Sequence, residues 1–356
     1  MFHLHELGWN SFFEQYLKTG DSRIPARVVE EQRSAYRVAC KAGELIAETA
    51  GHLRYTAVER SGLPAVGDWV LIEARLAEGR ATIHEVLPRK TKFSRKCAGP
   101  ETAEQIAAAN IDTVFLVTSL NAELNLRRTE RYLATIWDSG AQPVILLSKA
   151  DLCDDVTAAI EAVAGAASGV PIHAFSSVTG EGLDELDKYL TPGQTVALLG
   201  SSGVGKSTLI NRLLGQDVQK VRRIREDDAR GRHATTVRRL FLLPRGGMLI
   251  DTPGMRELQL WDASDGLTQT FNDIELLARY CRFRDCRHES EPGCAVQSAL
   301  TRQQLSSERF ESYRKLRREL GYLARKQDLL ARMEENRRWK RINKAVRKQY
   351  KHRDKP

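Results

Sequence analysis

Hydrophobic and polar residues alternate in short runs over residues 24–86, which is the pattern of half-buried β-strands. Turn-forming residues such as Gly43, Gly51 and Gly79 separate these runs. The predicted strands are 24–28, 36–40, 45–47, 55–58, 68–73 and 81–86. About five strands in so short a segment favour a small barrel of the OB or SH3 type, a fold that often presents a groove to nucleic acid. An amphipathic helix is predicted before the barrel, over residues 8–18.

Beyond residue 100, strands alternate with helices. The predicted strands are 113–120, 143–148, 171–175, 194–199, 239–243 and 248–251. The predicted helices are 126–139, 155–167, 182–190 and 206–214. This alternation favours a mostly parallel sheet with helices on both faces, whose ligand binds at the carboxyl ends of the strands.

After residue 261 the pattern becomes helical. Apolar residues from Glu308 to Met333 recur at helical spacing and form a stripe that must pack on another element. We therefore predict a third, helical region at the C-terminal end.

The composition points to a protein of two or three domains without a membrane span. The chain has 356 residues, and no stretch approaches the roughly 18 apolar residues that a span requires. The N-terminus lacks the features of a secretory signal, so we expect a soluble protein of the cytoplasm.

Positive charge concentrates in two places. The formal net charge is +9, and residues 337–356 hold ten Lys or Arg against one acid. A solvated tail is one interpretation; contact with a polyanion is favoured, because releasing counterions from phosphates gives strong, salt-sensitive binding. The second basic run, residues 89–96, leaves an RNA-facing surface and a solvated linker as open alternatives.

A phosphate-binding loop is predicted between the strand 194–199 and the helix 206–214. It matches G-x-x-x-x-G-K-[ST] in full, with the residues Gly200, Ser201, Ser202, Gly203, Val204, Gly205, Lys206, Ser207 and Thr208. Its glycines let backbone N–H groups point inward, Lys206 reaches the β and γ phosphates, and the Ser207 hydroxyl ligates Mg²⁺. The alternative, a glycine turn that only links strand to helix, is weaker, and the motif alone fits both ATP and GTP.

Further catalytic groups are expected after this loop. Asp251 ends an apolar strand and begins a D-x-x-G element with Gly254, so Asp251 would hold Mg²⁺ through water and the Gly254 N–H would sense the γ phosphate. Thr235, in a polar segment, is the favoured switch threonine for Mg²⁺. Met255 stands where many GTPases have a water-orienting Gln, so intrinsic turnover should be slow, and His233 is the candidate that assists.

Guanine is predicted as the base. The segment Ser148-Lys149-Ala150-Asp151 ends one strand, and its Asp151 carboxylate suits the N1–H and 2-amino donors of guanine, with the Lys149 stem over the base. Adenine offers neither matching donor. Ser148 replaces the usual Asn of N-K-x-D. Ser176 and Ser177 end the next strand, where a backbone N–H would meet guanine O6.

A metal site is predicted near the C-terminal end. Cys281, Cys286, His288 and Cys294 form C-x4-C-x-H-x5-C, a set that satisfies tetrahedral Zn²⁺. Four protein ligands leave no position for a catalytic water, so the zinc would be structural. Free buried cysteines or a disulfide are the alternatives.

The order of these motifs is unusual. The base-reading segments precede the phosphate loop, which precedes the switches, so the chain is predicted to be a circularly permuted GTPase. In this order, and in the stretches Gly67-Asp68-Trp69-Val70, Gly231-Arg232-His233 and Asp251 to Glu257, the sequence resembles the RsgA/YjeQ family of GTPases that assist late assembly of the small ribosomal subunit. The resemblance covers nearly the whole chain.

This resemblance implies an OB-fold barrel, a permuted P-loop GTPase domain and a zinc-binding helical domain. The expected boundaries are 1–21 for an N-terminal extension, 22–97, 98–264 and 265–356. It also implies GTP hydrolysis stimulated by the small subunit and rRNA contacts from the flanking domains; a monomer is expected. Two other functions stay open: a P-loop ATPase acting on RNA, suggested by Ser148, and an RNA-binding scaffold that barely hydrolyses GTP, suggested by Met255.

Overall fold

The structure, a computed structural model, describes residues 2–32, 35–56, 60–96, 104–120, 124–215, 238–251 and 264–325. Within these residues, no helix is long and apolar enough to cross a membrane.

A closed five-stranded barrel forms the N-terminal part. Its strands are β1 (Ile24–Glu31), β2 (Tyr36–Cys40), β3 (Gly43–Thr49), β4 (Trp69–Arg75) and β5 (Arg80–Val86). The order β1-β2-β3-β5-β4 returns to β1, because β1 pairs with both β2 and β4, while β3 and β5 pair in parallel. This closed connectivity is that of an OB-fold. The alternating side chains seen in the sequence fill its interior, among them Ala26, Val38 and Ile72.

The N-terminal segment packs on the barrel through aromatic rings. Only α1 (Ser11–Glu14) is helical there, capped by the Asn10 side chain, so the predicted helix over 8–18 is too long. The ring of Trp9 lies 4.8 Å from that of the buried Trp69, and Phe13 is also buried against it. These aromatic residues therefore serve packing.

One predicted strand of the barrel is wrong. Residues 55–58 were expected to be extended, but α2 (Gly51–Thr56) is a short helix, and 57–59 lie outside the described residues. The helical turn closes through the Arg54 N–H to Ala50 O, and the ring of Tyr55 is exposed instead of facing the core. Leu53 of this helix packs against the barrel interior.

A two-stranded hairpin joins the barrel to the next sheet. It consists of β6 (Lys92–Lys96) and β7 (Glu104–Ala109), which pair antiparallel. The sequence did not predict β7, since its Ala-rich stretch has little strand propensity.

The central sheet has six strands and continues into the barrel. Its strands are β8 (Thr113–Ser119), β9 (Gln142–Ser148), β10 (Ile172–Phe175), β11 (Thr195–Leu199), β12 (Arg239–Leu242) and β13 (Met248–Asp251). The order is β10-β9-β8-β11-β13-β12, and every neighbouring pair is parallel except β12 with β13. β12 also pairs with β1 of the barrel, through Glu30 and Arg239. One sheet of eleven strands therefore runs through both units.

Helices lie between these strands as predicted, with one difference. They are α3 (Leu126–Asp138), α4 (Val156–Ala166) and α5 (Lys206–Leu214). The predicted helix over 182–190 is instead a 3-10 helix, Asp184–Tyr189, in which N–H groups bond three residues back, as Leu186 does to Leu183 O.

A helical unit packs on α3 at the C-terminal end. It contains α6 (Ser264–Thr270), α7 (Asn272–Ala278), α8 (Ala295–Thr301) and α9, a helix over residues 307–325. The backbones of α6 and α3 touch, because a Cβ added to Gly266 would lie 1.9 Å from Ala134 O. The described part of the predicted apolar stripe forms a core on α9, where Phe310, Tyr313 and Leu316 are buried, and residues 326–333 of the stripe lie outside the described residues.

Arg309 on α9 joins this unit to α3. Its guanidinium makes a two-pronged ion pair with Asp273, both contacts at 2.7 Å, and a third contact with Glu130 of α3 at 2.8 Å. Glu130 is 2 % exposed, and burial raises the pKa of its carboxyl. The ion pair with Arg309 compensates a charge that water cannot reach.

A second buried arginine, Arg27, lies where the barrel meets the central sheet. Its guanidinium donates to the backbone oxygens of Leu7, Gly67 and Asn110 and contacts Met248 Sδ. Burial lowers the pKa of Arg27 to about 10. One side chain thus joins the N-terminal segment, the barrel, the hairpin and the central sheet.

Candidate nucleotide site and metal centre

The predicted nucleotide-binding segments meet at one edge of the central sheet. Two of the parallel strands end at predicted site residues, β9 at Ser148 and β13 at Asp251. Two others are followed directly by one, β10 by Ser176 and β11 by Gly200. The chain order changes direction between β8 and β11, which lie side by side. Ligands of such sheets bind at the carboxyl ends beside this switch point. The structure therefore brings these segments, distant in sequence, to one edge of the sheet.

The phosphate loop closes on itself through Lys206. The Lys206 Nζ donates to Gly200 O at 2.8 Å and to Ser201 O at 2.5 Å, so the ammonium lies against the loop backbone. Gly200 has a φ of 147°, and a Cβ there would lie 2.2 Å from Val117 O on β8. Only glycine fits this close approach. Ser207 lies on the first turn of α5, directly after Lys206, where its hydroxyl can reach a metal held by phosphates.

Ser148 connects the base-reading segment to the phosphate loop. It is 2 % exposed, and its hydroxyl lies 2.6 Å from Val204 O and 3.1 Å from Thr118 O. A hydroxyl carries one proton, so it donates to one of these carbonyls at a time, and the shorter contact is with the loop. The Ser148 hydroxyl therefore links the end of β9 to the phosphate loop.

Lys149 and Asp151 directly follow β9 at this edge of the sheet. Lys149 adopts a left-handed backbone conformation, φ 60° and ψ 42°, and begins a 3-10 turn, Ala150–Leu152, on which Asp151 is exposed. Such a conformation costs about 1 kcal/mol for a residue with a side chain. The turn redirects the chain, so Asp151 leaves the strand direction and projects from its end.

The loop after β10 is built by Ser176 and tied to α5. The buried Ser176 hydroxyl accepts from the N–H groups of Val178 and Thr179, both at 3.2 Å. Arg212 of α5 donates to Ser177 O at 3.1 Å and to Val178 O at 3.3 Å. The segment expected to read guanine O6 is thus held against the helix that follows the phosphate loop.

The sequence did not indicate the roles of Arg212 and Arg128. Arg128, in the first turn of α3, donates to the Ser201 hydroxyl of the phosphate loop at 2.9 Å. The one indication of this contact is that Arg128 follows β8, which lies next to β11 in the sheet. That indication becomes visible only when the strand order is known.

Three predicted catalytic residues lie outside the described residues: His233, Thr235 and Gly254. Asp251 is half-buried at the end of β13, a strand that pairs in parallel with the strand leading into the phosphate loop. Asp251 therefore lies at the same edge of the sheet as the start of the phosphate loop, and its role in holding Mg²⁺ through water stays a prediction.

The four predicted metal ligands converge. The sulfur atoms of Cys281, Cys286 and Cys294 and a ring nitrogen of His288 all lie within 4.8 Å of one another. The sulfurs of Cys281 and Cys294 are 3.8 Å apart, and His288 Nδ1 is 3.6 and 3.5 Å from them. Tetrahedral zinc, with bonds of about 2.3 Å to sulfur and 2.0 Å to nitrogen, requires separations of about 3.8 and 3.5 Å. The group fits a closed metal site, and the cysteines are free rather than disulfide-bonded.

The surroundings favour the ligating forms of Cys281 and His288, whereas burial raises the pKa of the Cys286 thiol to about 11 and disfavours its thiolate. Burial raises the pKa of the Cys281 thiol, but the N–H groups of Val296 and Ala295 outweigh this, and the net pKa is lowered. Burial lowers the pKa of His288, which favours the neutral imidazole that metals bind. The backbone N–H of Gln297 also donates to Cys294 Sγ at 3.4 Å.

The described basic side chains of the run at 89–96 contact other parts of the chain. Arg89 makes a two-pronged ion pair with the buried Asp68, both contacts at 2.7 Å. Lys90 lies over the ring of Phe12, and Lys92 pairs with Glu104 at 2.9 Å. The side chains of Arg95 and Lys96 lie outside the described ones. Arg89 therefore belongs neither to an RNA-facing surface nor to a solvated linker, because its side chain binds Asp68 in the Gly67-Asp68-Trp69 segment of the barrel.

Fold and motifs together define a class, the P-loop GTPases with a circularly permuted strand order, here carrying an N-terminal OB-fold barrel and a C-terminal Cys3His group. The sequence model of the RsgA GTPase family matches residues 86–261. The chain is 49% identical over 319 residues to small ribosomal subunit biogenesis GTPase RsgA 2 of Lactiplantibacillus plantarum, covering 90% of each chain. It is 46% identical to RsgA of Opitutus terrae, with 97% of each chain covered. This chain belongs to the RsgA family of GTP hydrolases.

Solved structures agree with this assignment. YjeQ from Thermotoga maritima is 27% identical, with a TM-score of 0.64 that covers 84% of this chain and 98% of that one. YloQ, described as a circularly permuted GTPase, is 22% identical with a TM-score of 0.62, and it supports the fold.

Proposed function

We propose that this chain hydrolyses GTP to GDP and phosphate while bound to the small ribosomal subunit, assisting its late assembly, and that the subunit stimulates hydrolysis. The observation that carries the proposal is the edge of the sheet at which β9, β11 and β13 end: Ser148 ends β9, the loop that leads to Lys206 follows β11, and Asp251 ends β13. The names of the relatives, small ribosomal subunit biogenesis GTPases, supply the assembly context.

In this proposal the phosphate loop stabilises the negative charge of the phosphates. Lys206 and the inward N–H groups of Gly200 to Thr208 neutralise the phosphates, which lowers the barrier by stabilising charge that grows in the transition state. Lys206 would exchange its contacts with Gly200 O and Ser201 O for phosphate oxygens.

Mg²⁺ would be held by Ser207, Thr235 and, through water, Asp251. When bound, it neutralises charge between the β and γ phosphates. The Gly254 N–H would sense the γ phosphate, and His233 would assist the attacking water in place of the side chain that Met255 lacks.

Guanine selection is assigned to Lys149 and Asp151, with a backbone N–H of the Ser176–Ser177 segment at O6. The contact of Ser148 with Val204 O supports this, because a residue that acts on the loop need not itself read the base. The ATPase alternative was suggested by Ser148, so the contact of Ser148 with the phosphate loop weakens the argument for it.

The Cys3His group is proposed to bind one structural Zn²⁺, which would fix the loop between α7 and α8. We also propose the division into residues 1–21, 22–97, 98–264 and 265–356, a monomeric state and a cytoplasmic location. The basic segment 337–356, which lies outside the described residues, is proposed to contact rRNA.

The test is phosphate release from GTP, with ATP as control, in the presence and absence of purified small ribosomal subunits. We expect a large rise with subunits and GTP only, abolished by Lys206→Ala and retained by Lys188→Ala, a lysine exposed at the other end of β11. GTP binding with negligible turnover even with subunits would favour the scaffold, and turnover of ATP in excess GTP would favour the ATPase.

Deleting residues 337–356 tests the basic segment separately. Weaker subunit binding with a smaller salt dependence is expected. Unchanged affinity and salt dependence would exclude its rRNA contact.

A further inference from the structure

A basic groove lies between α3 and α9, beside the phosphate loop. It has a volume of about 720 Å³. Its charged lining consists of Arg127, Arg128, Arg131, Arg314, Lys315, Arg318 and a single acid, Glu311. Six positive charges against one negative charge leave an excess of five in the lining.

The cations form two matching rows. On α3 they occupy positions 127, 128 and 131, and on α9 positions 314, 315 and 318, so both helices repeat the spacing i, i+1, i+4. Four residues of helix advance about 6 Å. One strand of double-stranded DNA carries a phosphate about every 3.4 Å along its axis, and on that scale each row spans about two phosphates.

Part of this charge is anchored and part is available. Arg131 is held by Glu319 through contacts of 2.7 and 2.6 Å, and Arg314 pairs with Glu289 at 3.1 Å. Among the described residues, no carboxylate lies within ion-pair distance of Lys315 or Arg318, and both side chains are exposed. The anchored arginines shape the walls, while Lys315 and Arg318 can meet a ligand.

We propose that this groove binds the phosphate backbone of RNA. The inference rests on the proposed function, and it gives the RNA contact a place on the molecule. Arginine matches phosphate oxygens with two parallel N–H bonds, which suits five of the six cations. Among the described lining residues there is no aromatic ring on which a base could stack, so the contact is to phosphates and tolerates any sequence.

The groove is continuous with the nucleotide site. Arg128 lines the groove and donates to the Ser201 hydroxyl of the phosphate loop at 2.9 Å. An RNA backbone in the groove would therefore lie one side chain away from the phosphate loop.

The test compares two double variants of the full chain. Lys315→Gln/Arg318→Gln removes two charges from the groove. Lys188→Gln/Arg245→Gln removes the same two charges at the opposite edge of the sheet, where both side chains are exposed. Binding is measured with a fluorescein-labelled 20-base-pair RNA duplex and with small ribosomal subunits, from 50 to 300 mM KCl. Circular dichroism and GTP affinity check that each variant is folded.

The groove variant should bind both RNA probes more weakly and with less salt dependence. Each phosphate contact contributes about 0.9 to the slope of log affinity against log salt, which is about eightfold at 0.1 M. Losing both contacts should weaken binding up to about sixtyfold and lower the slope by nearly 2. The control variant should match the wild type.

The outcomes separate the two proposals. Equal affinity and slope for the groove variant and the wild type would overturn the groove and leave the rRNA proposal standing. A wild-type chain that binds neither probe would overturn both. Displacement by polyglutamate at the same charge concentration as unlabelled RNA would assign the groove to acidic peptides and overturn the RNA assignment.

Discussion

Replacing Ser148 by alanine should weaken nucleotide binding without changing which base is preferred. The Ser148 hydroxyl lies 2.6 Å from Val204 O in the phosphate loop and 3.1 Å from Thr118 O on β8. Ser148→Ala removes the only atom that makes these contacts and adds no bulk. Ser148 is almost completely buried, so water has little access to the site from which its hydroxyl donates.

The magnitude follows from one lost hydrogen bond at a time. A buried bond between neutral groups is worth about 0.5–1.5 kcal/mol, and a buried acceptor left without a partner costs about 1–3 kcal/mol. We take about 1–2 kcal/mol for loosening the loop. Since about 1.4 kcal/mol corresponds to tenfold in affinity, GTP should bind about five- to thirtyfold more weakly.

The assay is a titration with fluorescent GTP and competition by ITP, which lacks the 2-amino group of guanine. Both nucleotides should lose affinity by the same factor, because Ser148 acts through the loop. Ser168→Ala, at an exposed site after α4, is the matched control and should bind like the wild type. The reasoning is refuted if Ser148→Ala binds GTP within twofold of the wild type, or if the GTP-to-ITP ratio changes.

Three further predictions concern the base, the junction of the sheets and the metal group. Asp151→Asn should lower GTP affinity by at least about tenfold, from the loss of a charge-assisted bond worth about 1.5–3 kcal/mol, and should leave ITP less affected; an unchanged GTP-to-ITP ratio in the same titration would count against Asp151. Arg27→Met should lower the free energy of unfolding in urea by about 3 kcal/mol, because the buried backbone oxygens of Leu7 and Asn110 lose their donor and Gly67 O keeps the Asn110 side chain as a donor. The exposed Arg80→Met should change it little, and equal stabilities of the two variants would show that the junction does not depend on Arg27. Removing the metal with a chelator, or replacing His288 by alanine, should speed amide hydrogen exchange around α7 and α8 while GTP affinity stays the same; metal analysis should find about one zinc per chain, and a chain without zinc would contradict the assignment.

The sequence predicted the parts whose chemistry is local. The phosphate loop, the strands that precede it and the Cys3His spacing each depend on residues a few positions apart, and the structure places all four metal ligands together. Alternation also predicted most barrel strands, because each has one face in the core.

The remaining features depend on tertiary contacts. Tyr55 sits in an apparent strand pattern, but its segment closes a helical turn at the end of the barrel. β7 is Ala-rich and becomes a strand by pairing with β6. Arg89 resembles a surface cation until its partner, the buried Asp68 21 residues earlier, is known. Such partners cannot be read from local periodicity.

Arg128 belongs to two surfaces at once. Its guanidinium lines the groove between α3 and α9 and holds a hydroxyl of the phosphate loop. A nucleotide and a polyanion that both engage this side chain would be thermodynamically linked, so the factor by which GTP changes RNA affinity must equal the factor by which RNA changes GTP affinity. The first turn of α3 would then let each ligand report the presence of the other without any large movement of the sheet.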